Sequence, residues 1–217
     1  MKMKNQMKTN EDKGFENTGG DFMKKHSEDK INLKAQEALE RLKSGNQRFV
    51  EGKLAEWNVV ERRKELVGGQ KPFAMIVDCS DSRTTPEFIF DARLGDLFIT
   101  RKAGNYLEAG DIGSLEYAAE HLKVPLLVVM GHQSCGAVKA ACNSPKAEGN
   151  LGEVLKALQP AVEAGGKEPE KVARENVRIQ IEKIRAQSPL LRQMEEKGEL
   201  AIVGAYYSLE SGKVEFF

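Results

Sequence analysis

Leu126-Leu127-Val128-Val129-Met130-Gly131-His132-Gln133-Ser134-Cys135-Gly136 runs from five apolar residues straight into a polar group that holds an imidazole and a thiol. A second stretch ends the same way, with Phe73-Ala74-Met75-Ile76-Val77 leading into Asp78-Cys79-Ser80-Asp81-Ser82-Arg83. Short continuous apolar runs stopped by polar residues are the pattern of strands buried on both faces. In parallel α/β sheets, ligands bind beyond the carboxyl ends of the strands. Two such strands side by side bring Cys79, His132 and Cys135 together, although 53 positions separate Cys79 from His132. Two thiols and an imidazole make a three-ligand set. Catalytic zinc keeps its fourth position for water, whereas structural zinc is closed by four protein ligands.

Outward from these two stretches, the centre of the chain alternates. Strands are predicted over Phe73–Val77, Leu97–Arg101 and Leu126–Met130, with helices over Thr85–Phe90, Ile112–Leu122 and Cys135–Ala141. Such alternation implies an α/β fold, a central and mostly parallel sheet with helices on its faces. Ile31, Ala35, Ala38, Leu39 and Leu42 recur at helical spacing before Gly45, which reads as a stop. A further helical stretch is predicted from Val60 to Leu66. Asn143–Asn150 is rich in proline, glycine and polar residues and reads as a loop, and Glu163–Lys171 as a solvated face and linker. Val177, Ile181 and Ile184 mark an amphipathic helix; Glu199–Tyr207 reads as a strand, and Ser211-Gly212 as a turn before Val214–Phe217. Residues 1–30 are rich in lysine and glutamate and show no periodic apolar face, so a flexible tail is expected ahead of one domain over residues 31–217.

The 217 residues suit one domain of ordinary core, and 33 basic residues balance 33 acidic ones. No net field recommends nucleic acid as a partner. Three cysteines, an odd number with two engaged by the metal reading, do not make a secreted disulfide framework. A reducing cytoplasmic setting is expected. Met1-Lys2-Met3-Lys4 opens basic without entering a signal-peptide core, and no apolar run approaches the roughly 20 residues of a membrane span. Cys142 reads as core, and His26 and His121 as solvated.

At the two metal motifs the chain resembles the β-class carbonic anhydrases. Cys79-Ser80-Asp81-Ser82-Arg83 is similar to the family's first motif and Gly131-His132-Gln133-Ser134-Cys135-Gly136 to its second; Gly95–Asn105 and Gly113–Ala118 resemble blocks between them. The resemblance runs from about Ala38 to the C-terminus and implies that Cys79, His132 and Cys135 hold zinc. It implies attack of zinc-bound hydroxide on carbon dioxide to give bicarbonate. Asp81 and Arg83 stand two residues apart and can pair, the arginine fork holding the carboxylate ionised. In the family this aspartate orients the nucleophile, or swings onto the metal and closes the site. The resemblance also implies N-terminal helices packed on a partner subunit, a homodimer or homotetramer, and a substrate pocket to which Tyr117 contributes, while Gly131 and Gly136 flank the second metal motif, where their small size lets backbone approach the ion and its substrate.

The chain departs from the family pattern at three places. Thr84-Thr85-Pro86 stands where a proline pair is common, and Lys102 where asparagine is common. Asp91-Ala92-Arg93-Leu94 lacks a glutamine that donates to substrate in many members, so that donor is missing or replaced by Arg93. Two alternatives therefore stay open, a carbonyl sulfide or carbon disulfide hydrolase of the same fold and a non-catalytic zinc-binding protein closed by Asp81.

Overall fold

The computed structural model describes residues 32–143 and 147–217. The expected tail, residues 1–30, lies outside the described residues.

Five strands form one sheet: β1 (Ala74–Asp78), β2 (Leu97–Arg101), β3 (Leu126–His132), β4 (Ala201–Tyr207) and β5 (Val214–Phe216). Their spatial order is β2-β1-β3-β4-β5. The first four run parallel, and β5 folds back antiparallel on β4. Alternate residues of β1 and β3 serve opposite faces, as strand geometry requires. Met75, Val77, Leu127 and Val129 enter one core cluster; Ala74, Ile76, Leu126, Val128 and Met130 enter the other.

Eight helices are described: α1 (Leu33–Val50), α2 (Val59–Glu65), α3 (Pro86–Ile89), α4 (Ala109–Glu120), α5 (Gly136–Asn143), α6 (Gly149–Gly165), α7 (Pro169–Gln187) and α8 (Pro189–Glu196). Helix α1 covers one sheet face through Ala35, Ala38 and Leu42, with Ile89 and Phe90 beside it. On the opposite face α4, α7 and α8 supply Leu115, Val177, Ile184 and Leu191. A third cluster joins α5, α6 and α7 and contains Cys79 and Cys135.

The structure corrects three sequence expectations. Gly45 does not stop α1, which continues five residues to Val50. Its missing Cβ is instead needed for close approach, since an atom built there falls 1.9 Å from the carbonyl oxygen of Phe90. The expected loop at Asn143–Asn150 is shorter, because α6 begins at Gly149. Pro160 inside that helix and the glycines at its start mask it in the sequence, although Leu155, Leu158 and Val162 are buried at helical spacing. The Glu163–Lys171 linker contracts to residues 166–168, since Pro169 already opens α7, where its fixed φ suits the first turn. Downstream, Ser188 caps α8, its hydroxyl accepting from the Leu191 amide at 3.1 Å.

Gly45→Ala distinguishes the two readings of this glycine. Helix propensity alone favours alanine by about 1 kcal/mol. Contact with the Phe90 backbone reverses the sign, and a net loss of about 1–3 kcal/mol is expected in urea unfolding. A variant as stable as the parent, or more stable, contradicts the close approach.

Candidate metal centre

The three sequence-predicted ligands converge because of strand register. In the β1–β3 pair, Val77 lies opposite Val129. Continued by two residues, that register sets Cys79 beside Gly131, with His132 next along. Cys135 follows on the turn into α5. From β1 the chain moves outward to β2, whereas from β3 it moves the other way to β4. The crevice between β1 and β3 is thus the topological switch point, where open α/β sheets bind their ligands.

Ligand atoms of Cys79, His132 and Cys135 all lie within 4.8 Å of one another, and all three residues are buried. The two sulfurs are 3.9 Å apart, far beyond the roughly 2.05 Å of a disulfide. Two thiolates bonded at about 2.3 Å to one tetrahedral ion stand roughly 3.8 Å apart, so the spacing fits a shared metal. His132 is oriented for the same task. Its Nδ1–H donates to the Gln133 carbonyl at 2.9 Å, which leaves the lone pair on Nε2. That Nε2 is buried and has no partner among the described residues.

The thiols are unequal. Hydrogen bonding from Cys135 holds the Cys79 thiol far below its ordinary value against the opposing effect of burial, with His132 and the Gly104 amide assisting. Cys135 is pushed up by the reciprocal bond to Cys79 and then by burial. Two thiolate charges 3.9 Å apart in a buried setting repel one another. A divalent cation in the same place neutralises both thiolates. Burial lowers the imidazole of His132, but its contact with Cys79 and that residue's charge outweigh burial and hold it above the usual range.

Asp81 and Arg83 pair as their spacing predicts. Arg83 donates from Nε to Oδ1 at 2.8 Å and from Nη2 to Oδ2 at 2.7 Å, and its backbone amide reaches Oδ1 at 3.0 Å. The fork holds the Asp81 carboxyl well below the ordinary carboxylate range. Asp81 stands outside the three-residue ligand cluster.

Three residues to which the sequence assigned no role in the site brace this loop. Arg101, opposite Asp78 in the β1–β2 register, donates from Nε to the Cys79 carbonyl at 2.8 Å and from Nη2 to the Asp81 carbonyl at 2.7 Å. Thr84 donates its hydroxyl to Asp78 Oδ2 at 3.0 Å, within reach also of the Asp81 carbonyl. Burial pushes the Asp78 carboxyl up to about 7, despite hydrogen bonds from the Cys79 amide and Thr84 and the charge of Arg101. A charged residue closing an apolar strand was the available signal at both Asp78 and Arg101.

The remaining expectations fare differently. Tyr117 is 49% exposed on α4, and its aromatic neighbours are Phe98 and His121 rather than the ligand cluster. Gly136 opens α5, and a Cβ built there meets nothing within 4 Å. At Gly131 the missing Cβ admits α7, with Val177 Cγ2 at 3.0 Å and the Ala173 carbonyl oxygen at 3.1 Å from the built atom. Arg93 is directed to Asp96, and Ala92 is buried. Lys102 bridges Glu108 and Asp111 at the start of α4. Cys142 is buried, as expected of a core thiol.

Comparison with known proteins agrees with this geometry. A family model described as carbonic anhydrase matches residues 74–214. The chain is 37% identical over 187 residues to a carbonic anhydrase of Mycolicibacterium smegmatis, covering 82% of this chain and 91% of that protein. It is 38% identical over 185 residues to carbonic anhydrase 2 of Mycobacterium tuberculosis, covering 81% and 89%. Among solved structures, a tetrameric β-carbonic anhydrase of Sordaria macrospora superposes with a TM-score of 0.64 at 28% identity, covering 71% of this chain and 85% of that one. The β-carbonic anhydrase CafA of Aspergillus fumigatus gives 0.64 at 29% identity, covering 73% and 81%.

Metal analysis after exhaustive dialysis checks the ligand set. Cys79→Ser and His132→Ala are expected to lose a bound ion that the parent retains, while Asp81→Asn keeps it. Retention by the first two variants equal to the parent's would place the ion elsewhere.

Proposed function

The chain belongs to the β-carbonic anhydrase family, and from that premise we propose that it catalyses the reversible hydration of carbon dioxide to bicarbonate and a proton. Cys79, His132 and Cys135 hold a zinc ion in this reading. When bound, zinc supplies Lewis acidity that lowers the pKa of a water in its open position from near 16 toward neutrality, the three-histidine carbonic anhydrases at about 7 being the reference case. Two thiolates offset more of the ion's charge than imidazoles do, so turnover is expected to favour the alkaline side.

The observation that carries the proposal is the grip of Arg83 on Asp81. Both carboxylate oxygens accept from the fork, which keeps Asp81 anionic and apart from the ligand cluster. Oδ1 accepts two bonds from Arg83, whereas Oδ2 accepts one and retains a lone pair with which to accept a hydrogen bond from the reacting water and fix its direction of attack. Arg83 also reaches the Ser134 carbonyl at 3.4 Å, tying the first motif to the second. A chain whose aspartate served as a fourth ligand would leave no position for water.

The substrate, carbon dioxide, is small and apolar and is held by contacts. Tyr117 and Gly136 line its pocket in this reading, with the exposed Tyr117 completing the site across a homodimer or homotetramer interface. Exposed apolar residues Val59, Val60, Val67 and Phe88 support such an assembly. No described helix is long and apolar enough to cross a membrane, and a reducing cytoplasm keeps both ligand thiols available.

Stopped-flow carbon dioxide hydration between about pH 7 and pH 9 tests the reading. Turnover that rises with pH and disappears in Cys79→Ser is expected. Arg83→Ala should retain metal yet lose roughly 10²-fold in kcat/KM through misorientation of Asp81. Full zinc occupancy without turnover in the parent overturns the proposal, and carbonyl sulfide and carbon disulfide are then the substrates to assay.

A further inference from the structure

Behind the ligand cluster, α7 presents Asn176, Gln180 and Lys183 on one stripe to the turn that follows β2. Asn176 and Gln180 are fully or almost fully buried. Asn176 Nδ2 donates to the Gly104 carbonyl at 2.9 Å and reaches Asn105 Oδ1 at 3.3 Å. Gln180 Nε2 donates to Asn176 Oδ1 at 3.1 Å, and Gln180 Oε1 accepts from the Leu107 amide at 3.0 Å. Lys183 Nζ donates to the Leu107 carbonyl at 2.6 Å. Three side chains spaced one helical turn apart therefore fix the backbone from Gly104 to Leu107.

The same turn touches the metal site at one point. The Gly104 amide donates to Cys79 Sγ at 3.2 Å. Gly104 has φ +79° and Asn105 φ +41°, a left-handed pair that costs energy at the asparagine and needs support from its surroundings. A side chain at Gly104 would have to displace Leu158, whose Cδ1 lies 2.9 Å from a built Cβ, in addition to adopting the positive φ. Asn176 thus grips one side of the Gly104 residue while its amide faces the sulfur on the other. Buried amide side chains are retained where each of their polar groups has a partner. Here the partners of Asn176 are the turn and Gln180.

We propose that Asn176 is a positioning residue for the metal ligand Cys79, acting through the Gly104 amide, which it holds at hydrogen-bonding distance from the Cys79 sulfur. This rests on the reading of Cys79 as a metal ligand. The amide–sulfur bond draws charge from one thiolate, so less is donated to the ion and the bound metal is a stronger Lewis acid. Cys135 draws no support from this turn; its sulfur lies instead by the Ala137 and Val138 amides that open α5.

The test uses spectroscopy and affinity rather than turnover. Cobalt(II) replaces zinc in the full chain, and the thiolate-to-cobalt charge-transfer band is recorded for the parent, Asn176→Asp and Asn176→Ala. Loss of an N–H···S bond raises the energy of the sulfur lone pair, so the band is expected to shift to longer wavelength. Metal affinity should fall about 10- to 100-fold, as for other outer-shell partners. Leu42→Ala, a core change in the cluster on the other face of the sheet, controls for loss of stability and should leave the band in place. Because substitution of a buried residue puts folding at risk, the unaltered protein provides a second readout: loaded with cadmium, an NMR-active stand-in, it should show scalar coupling from the Gly104 amide proton to the metal through Cys79 sulfur. An unshifted band and unchanged affinity in folded Asn176 variants, or absence of the coupling in the cadmium-loaded parent, overturns the proposal while leaving the metal site intact. A parent that binds neither ion through thiolate overturns the metal reading beneath it.

Discussion

Parallel pairing of β1 with β3 decides which side chains in this protein can share an ion. The register that sets Val77 opposite Val129 carries on past the ends of the strands and leaves Cys79, His132 and Cys135 facing one crevice. A shift of one residue would turn each side chain to the other face. That register is held on both sides of the sheet, because the residues before the ligands alternate between two packed cores. The stability of the interior and the geometry of the site are therefore the same fact seen at two points along the strands.

Electrostatics follows from this placement. Two thiols held 3.9 Å apart in a buried setting cannot both ionise without a cation, and an imidazole with its Nε2 unpartnered stands beside them. Around this demand for positive charge the protein arranges neutral or compensated groups. Asp81 is matched by Arg83, and Arg101 braces the loop by its carbonyls, while the Gly104 amide meets the Cys79 sulfur. Each contact fixes a candidate ligand or its neighbour, and among the described residues the cluster holds three.

Much of this was legible in the sequence, and the reasons it was not legible elsewhere are physical. The strands declare themselves as unbroken apolar runs, and the motif residues end those runs, so the fold class and the cluster of Cys79, His132 and Cys135 follow directly. Asp81 and Arg83 are close enough in sequence for their pairing to be local. Arg101 is different, since its role depends on standing opposite Asp78 across two strands. Gly45 carries the composition of a helix stop, yet its function is set by the backbone of Phe90, 45 residues later in the chain. Asn176 and Gln180 alternate with Val177 and Ile181, and in a linear reading they belong to the polar face of an amphipathic helix. They are buried because the turn after β2 packs over them, which no periodicity records. Helix α6 was hidden by glycines and by Pro160, although its apolar spacing is regular.

The central claim is a three-ligand metal centre whose fourth position stays open because Arg83 retains Asp81. A crystal structure of the zinc-loaded protein grown at mildly alkaline pH tests it most directly. The account predicts one ion on Cys79, His132 and Cys135 with solvent as its remaining ligand, and Asp81 still forked by Arg83. An Asp81 oxygen on the metal at that pH, or an ion bound away from the β1–β3 crevice, would contradict it.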